Sequence, residues 1–193
     1  MTLLIHMEGN NMMASAIQFS SKSLFIILLL ISCISHGHSQ DNFARTFYVA
    51  TDGSNDEGDG SHSKPWATIT HAMDNVPDSS LILVKEGIYN GRIRIRGTFP
   101  YGVTVRSEVP YKAQLRNNAQ VITAYAHSSG CMGITIEGLD IAHSDADASP
   151  LVIHIDGNGN NSVSNITIRN NVLHDSYNND ILKINHSCSN ILV

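Results

Sequence analysis

Gly133-Ile134-Thr135-Ile136-Glu137-Gly138 returns as Asn165-Ile166-Thr167-Ile168-Arg169-Asn170 and starts again as Asn190-Ile191-Leu192-Val193. Each copy alternates apolar and polar residues, the period of a strand with one buried face. Each is entered through Gly or Asn, residues that tolerate left-handed backbone. The copies are separated by 32 residues (Ile134 to Ile166) and 25 residues (Ile166 to Ile191), spacings that signal a solenoid. A unit of this size cannot bury its apolar face alone, so it must stack on copies of itself.

Working outward from this phrase, the chain reads as strand, turn, strand. The runs are Phe47–Ala50, Leu81–Val84, Arg92–Arg96, Val103–Arg106, Val121–Ala124, Leu139–Ile141, Leu151–Ile155, Val172–Leu173 and Ile181–Ile184. Asn, Gly, Ser and Asp fill the turns between them. About three strands fall in each turn of chain, with no helices to serve as crossovers. The fold class is all-β, a right-handed parallel β-helix. A β-sandwich is the alternative, but it needs short hairpin turns at regular spacing, and these are scarce. Trp66, Ile69, Ala72 and Met73 share one helical face between Pro65 and Pro77, predicting a short helix over 65–73 that caps the N-terminal end of the solenoid.

Stacking the copies predicts interior ladders Ile93–Ile134–Ile166–Ile191 and Ile153–Ile184. Cys131 and Cys188 each stand three residues before the opening Ile of a repeat, where the middle copy has Val163. A Cys–Val–Cys row places the two thiols two rungs apart, roughly 9–10 Å between Cα atoms. That is too far for a disulfide, so both read as buried, reduced residues.

The net charge of −5 argues against nucleic acid as the partner, since such proteins carry a basic excess. Residues 1–40 read as a targeting segment. Leu24–Ile34 is an apolar run after Lys22, with small residues at Ser35, Gly37 and Ser39 for cleavage. No Lys or Arg precedes Lys22, which suggests a start at Met12 or Met13. Leu30-Ile31-Ser32-Cys33 also resembles a lipobox, so Cys33 is a candidate lipid anchor and the one route to a membrane. The expected location is secreted or periplasmic, with a lipid-anchored outer-membrane or cell-surface protein as the alternative. Residues 41–193 form the β-helix domain. It stops inside a strand without a cap and reads as a fragment of a longer reading frame.

Phe47-Tyr48-Val49-Ala50-Thr51-Asp52-Gly53-Ser54, Asp59-Gly60, Lys64-Pro65-Trp66-Ala67-Thr68-Ile69 and Leu83-Val84-Lys85-Glu86-Gly87-Ile88-Tyr89 together resemble the opening of pectate-lyase-like right-handed β-helix proteins. That resemblance implies a strand, a Gly/Asp loop, a capping helix and a first coil, and covers nearly all of the chain after residue 40. It implies fold more firmly than activity, because this architecture hosts many functions.

Alternation within Leu151–Asp156 and Asp180–Asn185 points His154, Asp156, Lys183 and Asn185 outward, with Lys183 over His154 and Asn185 over Asp156. The resemblance implies a groove on this face for an acidic polysaccharide. Acidic residues would hold Ca²⁺ against a uronate carboxylate, and a Lys would remove the neighbouring proton. Carried over, Lys183 is the candidate base, His154 an acid or substrate contact, and Asn185 a substrate contact. Asp145, Asp147, Asp156, Asp175 and Asp180 are the candidate Ca²⁺ ligands. Arg94 and Arg96, with Arg92 and Arg106 as expected neighbours, form a stripe that suits an anionic glycan or simply keeps a sheet face solvated. The paired adjacent acids of Ca²⁺-dependent lyases are missing, and the plainer reading is that these Asp residues cap turns while Lys183 is a solvated surface residue. The function expected is an exported polysaccharide-active protein, most plausibly a monomeric lyase acting by β-elimination. The alternative is a non-catalytic glycan-binding or adhesion module.

Overall fold

The computed structural model describes residues 43–126, 130–157, 161–177 and 180–193; the segment expected to direct targeting, with Cys33, lies outside them. Among the described residues the order is β1 (Arg45–Val49), α1 (Ile69–Asn75), β2 (Ser80–Val84), β3 (Gly87–Asn90), β4 (Ile93–Ile95), β5 (Gly97–Ser107), β6 (Ala113–Asn117) and β7 (Ile122–Tyr125). Then follow β8 (Cys131–Glu137), β9 (Asp140–His143), β10 (Ile153–Asp156), β11 (Val163–Arg169), β12 (Val172–His174), β13 (Leu182–Asn185) and β14 (Cys188–Leu192).

Every third strand joins the same sheet. Sheet A runs β1-β2-β5-β8-β11-β14, sheet B runs β3-β6-β9-β12, and sheet C runs β4-β7-β10-β13. All pairings are parallel, which excludes the sandwich and defines a parallel β-helix.

The repeated phrase owes its form to backbone geometry. Gly133, Asn165 and Asn190 all have positive φ (75°, 53° and 51°), as do the exit residues Gly138 and Asn170. A left-handed residue on entry bends the chain into sheet A, and one on exit turns it toward sheet B. Only Gly serves at 133, because a Cβ there would lie 1.9 Å from the Phe99 carbonyl oxygen. Phe99 lies in an irregular stretch of β5, between Thr98 and Val103, where the register with β8 shifts. The other copies meet no such obstacle and use Asn. Asn190 Nδ2 donates to Asn165 Oδ1 at 2.6 Å, the inter-coil amide contact expected of stacked Asn.

The interior is built from β-branched rows. Val103, Ile134, Ile166 and Ile191 stack in sheet A, and Ile134, Ile136 and Ile166 are almost fully buried, each side chain worth about 1.5–3 kcal/mol of transfer free energy. Ile93 is not part of that row. As the third strand of its coil, β4 belongs to sheet C, where Ile93 stacks on Ile122, Ile153 and Leu182. Ile153 and Ile184 share that sheet but are offset by two residues, Ile184 facing Ile155. Ile184 is 42% exposed, so the two ladders are buried only in part.

Cys131, Val163 and Cys188 do form one row, with both thiols free. Cys131 is buried, and burial pushes its thiol up to about 12. Cys188 is only half-buried and donates to the Asn185 carbonyl at 2.7 Å.

The helix begins four residues later than its apolar spacing predicts. Trp66 bridges to Val49 in parallel fashion, with its amide bonded to the Tyr48 carbonyl, which holds Pro65 and Trp66 extended. Thr68 caps α1 by accepting from the His71 amide at 3.2 Å. Asn55 of the Gly/Asp loop accepts the amides of Ala67 and Thr68, so that loop braces the start of the helix. The helix ends at Asn75 because Val76 precedes Pro77 and is driven to extended backbone. Ile69, Ala72 and Met73 are buried as their spacing predicts.

Candidate functional site on the outer face of sheet C

The outward rows of sheet C follow from strand alternation. One row is Arg94, Thr123, His154 and Lys183, and the next contains Tyr125, Asp156 and Asn185. Lys183 therefore faces His154 and Asn185 faces Asp156, as the sequence predicts. Because the coils differ in length, only the parallel register makes these residues neighbours.

His154 is the centre of the cluster. Its Nδ1 is 2.9 Å from the Tyr125 hydroxyl and its Nε2 is 2.9 Å from Asn185 Nδ2. If the Asn185 amide donates to Nε2, the ring proton sits on Nδ1 and points at the Tyr125 oxygen. Burial holds His154 below the ordinary histidine range, with Asp156 pulling upward and Lys183 pushing down. The neutral ring makes its 3.7 Å approach to Asp156 Oδ2 a polar contact, not an ion pair. Asp156 instead takes His186 Nδ1 at 3.0 Å. The Tyr125 phenol is raised by burial and by Asp156, against Arg92, so it keeps its proton. Lys183 is exposed.

Tyr125 and His186 were not among the residues that sequence reasoning singled out. The strand ending at Ala124 extends one residue further, and that residue is Tyr125. The signal was the alternation itself, since Ala124 aligns with Ile155 and so sets Tyr125 beside Asp156.

The five carboxylates expected to hold Ca²⁺ do not converge. Asp145 and Asp147 are exposed in the loop after β9, where Asp145 accepts the Asp147 amide at 3.0 Å. Asp175 follows β12 and Asp180 precedes β13. Asp156 lies at the opposite end of β10 from these loops, about 10 Å along the strand at 3.3 Å per residue. Among the described residues no group of three or more His, Cys, Asp or Glu side chains is arranged to hold a metal ion.

Asp175 belongs to a different cluster, on the outer face of sheet B. His174 is 2.8 Å from Asp175 through Nδ1 and 3.0 Å from Asp140 through Nε2, and Arg116 reaches Asp140 at 2.6 Å. The hydrogen bond to Asp140 first, then Asp175, raises His174 above the ordinary range. With Arg116 and His174 set against Asp140 and Asp175, the cluster is closed upon itself.

The arginine stripe divides. Arg96 is held by Asp74 of α1 at 2.5 Å, whereas Arg94 belongs to the His154–Lys183 row. Arg106 lies in sheet A, in register with Glu137 and 6.0 Å from the Phe43 ring, away from the stripe.

The fold and this face together define a parallel β-helix with a polar, partly cationic outer surface on one sheet. The chain belongs to the family described as "Protein of unknown function (DUF1565)", a β-helix family whose model matches residues 51–191. It is also similar to the "Uncharacterized protein YwoF" of Bacillus subtilis (strain 168), 27% identical over 135 residues that make up 64% of this chain and 27% of that protein. The chain thus spans about a quarter of the length of this relative. No solved structure matches.

Proposed function

We propose that this chain is an exported glycan-binding β-helix that lays an acidic polysaccharide along the outer face of sheet C. The observation that carries the reading is the row Arg94–Thr123–His154–Lys183. It has an exposed cation at each end and the part-buried His154 between them, while Thr123 is covered; the rungs repeat at the strand spacing of about 4.8 Å. That period is close to the rise of one pyranose in an extended polysaccharide, so a run of about three sugars spans the three rung spacings from Arg94 to Lys183. Charge-assisted contacts from Lys183 and Arg94 to carboxylates supply most of the affinity, with Asn185 contacting hydroxyls. The apolar segment Leu24–Ile34 directs export.

Affinity electrophoresis through gels holding polygalacturonate, alginate, chondroitin or neutral dextran tests this. An acidic polymer retards the protein, dextran does not, and Lys183→Ala weakens retardation about tenfold. Equal migration in all gels would overturn the reading.

A second reading, lyase β-elimination, is favoured by the Tyr125–His154 hydrogen bond. In this reading Lys183 takes the proton beside the uronate carboxylate. That electron pair forms the C=C bond, the glycosidic C–O bond breaks, and Tyr125 gives its proton to the leaving oxygen. Ultraviolet absorbance from unsaturated uronate, lost in Tyr125→Phe, supports elimination. Retention without absorbance leaves binding alone.

A further inference from the structure

A pocket of about 400 Å³ lies where the loop after β1, the first residues of α1 and the β3–β4 connection meet. Its size is that of a small-ligand site. Arg92 and Arg94 line it together with Thr51, Thr70, Asn90 and Ile88, and no carboxylate does. Among the described residues neither arginine takes part in an ion pair, in contrast to Arg96. Two cations sharing a concave wall without a counter-charge leave an electrostatic deficit that an anion fills.

The remaining wall selects what carries the anion. Thr70 Oγ1 accepts the Arg94 amide at 3.1 Å, which leaves its own hydrogen to donate and fixes the strand carrying the arginine. Asn90 is exposed and offers both a donor and an acceptor. Ile88, 56% exposed, supplies an apolar surface. Gly91, at φ +102°, has nothing within 4 Å of a Cβ position, so the mouth is open beside Arg92. An anion-binding pair, hydroxyl partners and one apolar wall match a sugar ring, which has equatorial hydroxyls, an apolar face and, in acidic sugars, one charged substituent.

We infer that this pocket is a binding site for an acidic pyranose, a sugar ring bearing a single carboxylate or sulfate. The choice of a carbohydrate rests on the glycan-binding reading of sheet C, with which the pocket is continuous through Arg94. The charge requirement rests on the pocket alone.

Isothermal titration of the full chain with glucuronate, galacturonate, a sulfated glucose, glucose and inorganic sulfate tests it. The expected result is binding of a uronate or the sulfated sugar at least about tenfold tighter than glucose or sulfate. Tighter uronate binding identifies the carboxylate as the source of charge, and tighter sulfated-sugar binding identifies the sulfate. Arg92→Ala and Ile88→Asp each weaken it about tenfold. Arg169→Ala, which removes an exposed arginine on sheet A, leaves it unchanged. Circular dichroism reports whether each variant keeps the wild-type fold. Equal binding of glucose, equal binding of inorganic sulfate, or no binding at all overturns the inference. Monosaccharide binding without polymer retention would sink the sheet C reading and leave this pocket standing, so the two failures are distinguishable.

Discussion

The outer faces of sheets B and C are made by the same coils from the same residue types, yet their histidines live in opposite circumstances. On sheet B, His174 is clasped by Asp140 and Asp175, with Arg116 neutralising Asp140; the charged ring is favoured and the cluster is closed upon itself. On sheet C, His154 is held by two neutral groups, Tyr125 and Asn185, and burial favours its uncharged form. Among the described residues Lys183 beside it has no carboxylate clasp of that kind. A solenoid gives every outward position the same backbone setting, so the difference arises entirely from which partners the register brings alongside. Sheet B ties its charges together between coils, whereas among the described residues Arg94 and Lys183 of sheet C stand in no ion pair.

The sharpest way to break this comparison is to remove one cation from each face and measure stability. Arg116 and Asp140 are mostly buried, with side chains 17% and 19% exposed, and Arg116 also donates to the carbonyls of Leu115 and Asp140. Arg116→Ala leaves a part-buried carboxylate short of its partner and is expected to cost about 1–3 kcal/mol. Lys183→Ala is expected to stay within about 0.5 kcal/mol of wild type. Urea midpoints read both, with an unchanged slope confirming that stability itself moved. Comparable losses in the two variants would mean that sheet C is as structural as sheet B.

A smaller effect sharpens the contrast through salt. Attraction between exposed charges and a polyanion is screened as the Debye length shrinks from about 10 Å at 0.1 M toward 3 Å at 1 M. Polymer retention should therefore fall severalfold over that range, while the midpoint difference between Arg116→Ala and wild type, set by part-buried groups, should change little. Salt-insensitive retention would point to apolar contacts and away from the Arg94–Lys183 row.

Much of this was legible because a solenoid converts sequence spacing into spatial rows. The phrase at 133–138 and 165–170 carries its own turn signals, so the Cys131–Val163–Cys188 row and the pairing of Lys183 with His154 follow by counting. Ile93 was assigned to the wrong row because the irregularity between Thr98 and Val103 interrupts the count exactly where the first coils begin. The strand at Ala113–Asn117 went unnoticed: Gln114, Arg116 and Asn117 are polar outward residues around a single buried Leu115, a weak alternation. With that strand missing, Arg116 had no address, and the sheet B cluster could not be assembled. The positions of the loop carboxylates were illegible for a related reason. Alternation tells which face a strand residue takes, but nothing in the sequence fixes how far a loop such as 144–152 reaches along the strand.

The smallest effect, and the most specific, is pH dependence. His174 has its folded pKa raised. The stabilisation it provides is fully present below the unfolded value of about 6.5 and is lost as pH rises through the higher folded value. His154 has its folded pKa lowered. Below about 6.5 the unfolded chain takes up a proton that the folded ring resists, so stability falls as pH drops toward the depressed folded value. The two histidines thus erode stability on opposite sides of neutrality. Replacing each by Gln, which keeps hydrogen-bonding capacity but cannot titrate, separates them. His174→Gln should flatten the alkaline side of a melting-temperature profile between about pH 5 and about pH 8, leaving the acid side as in wild type. His154→Gln should flatten the acid side alone. Should both variants change the same side, the two rings would share one environment, and the division between a closed face and an open one would fail at the residues that define it.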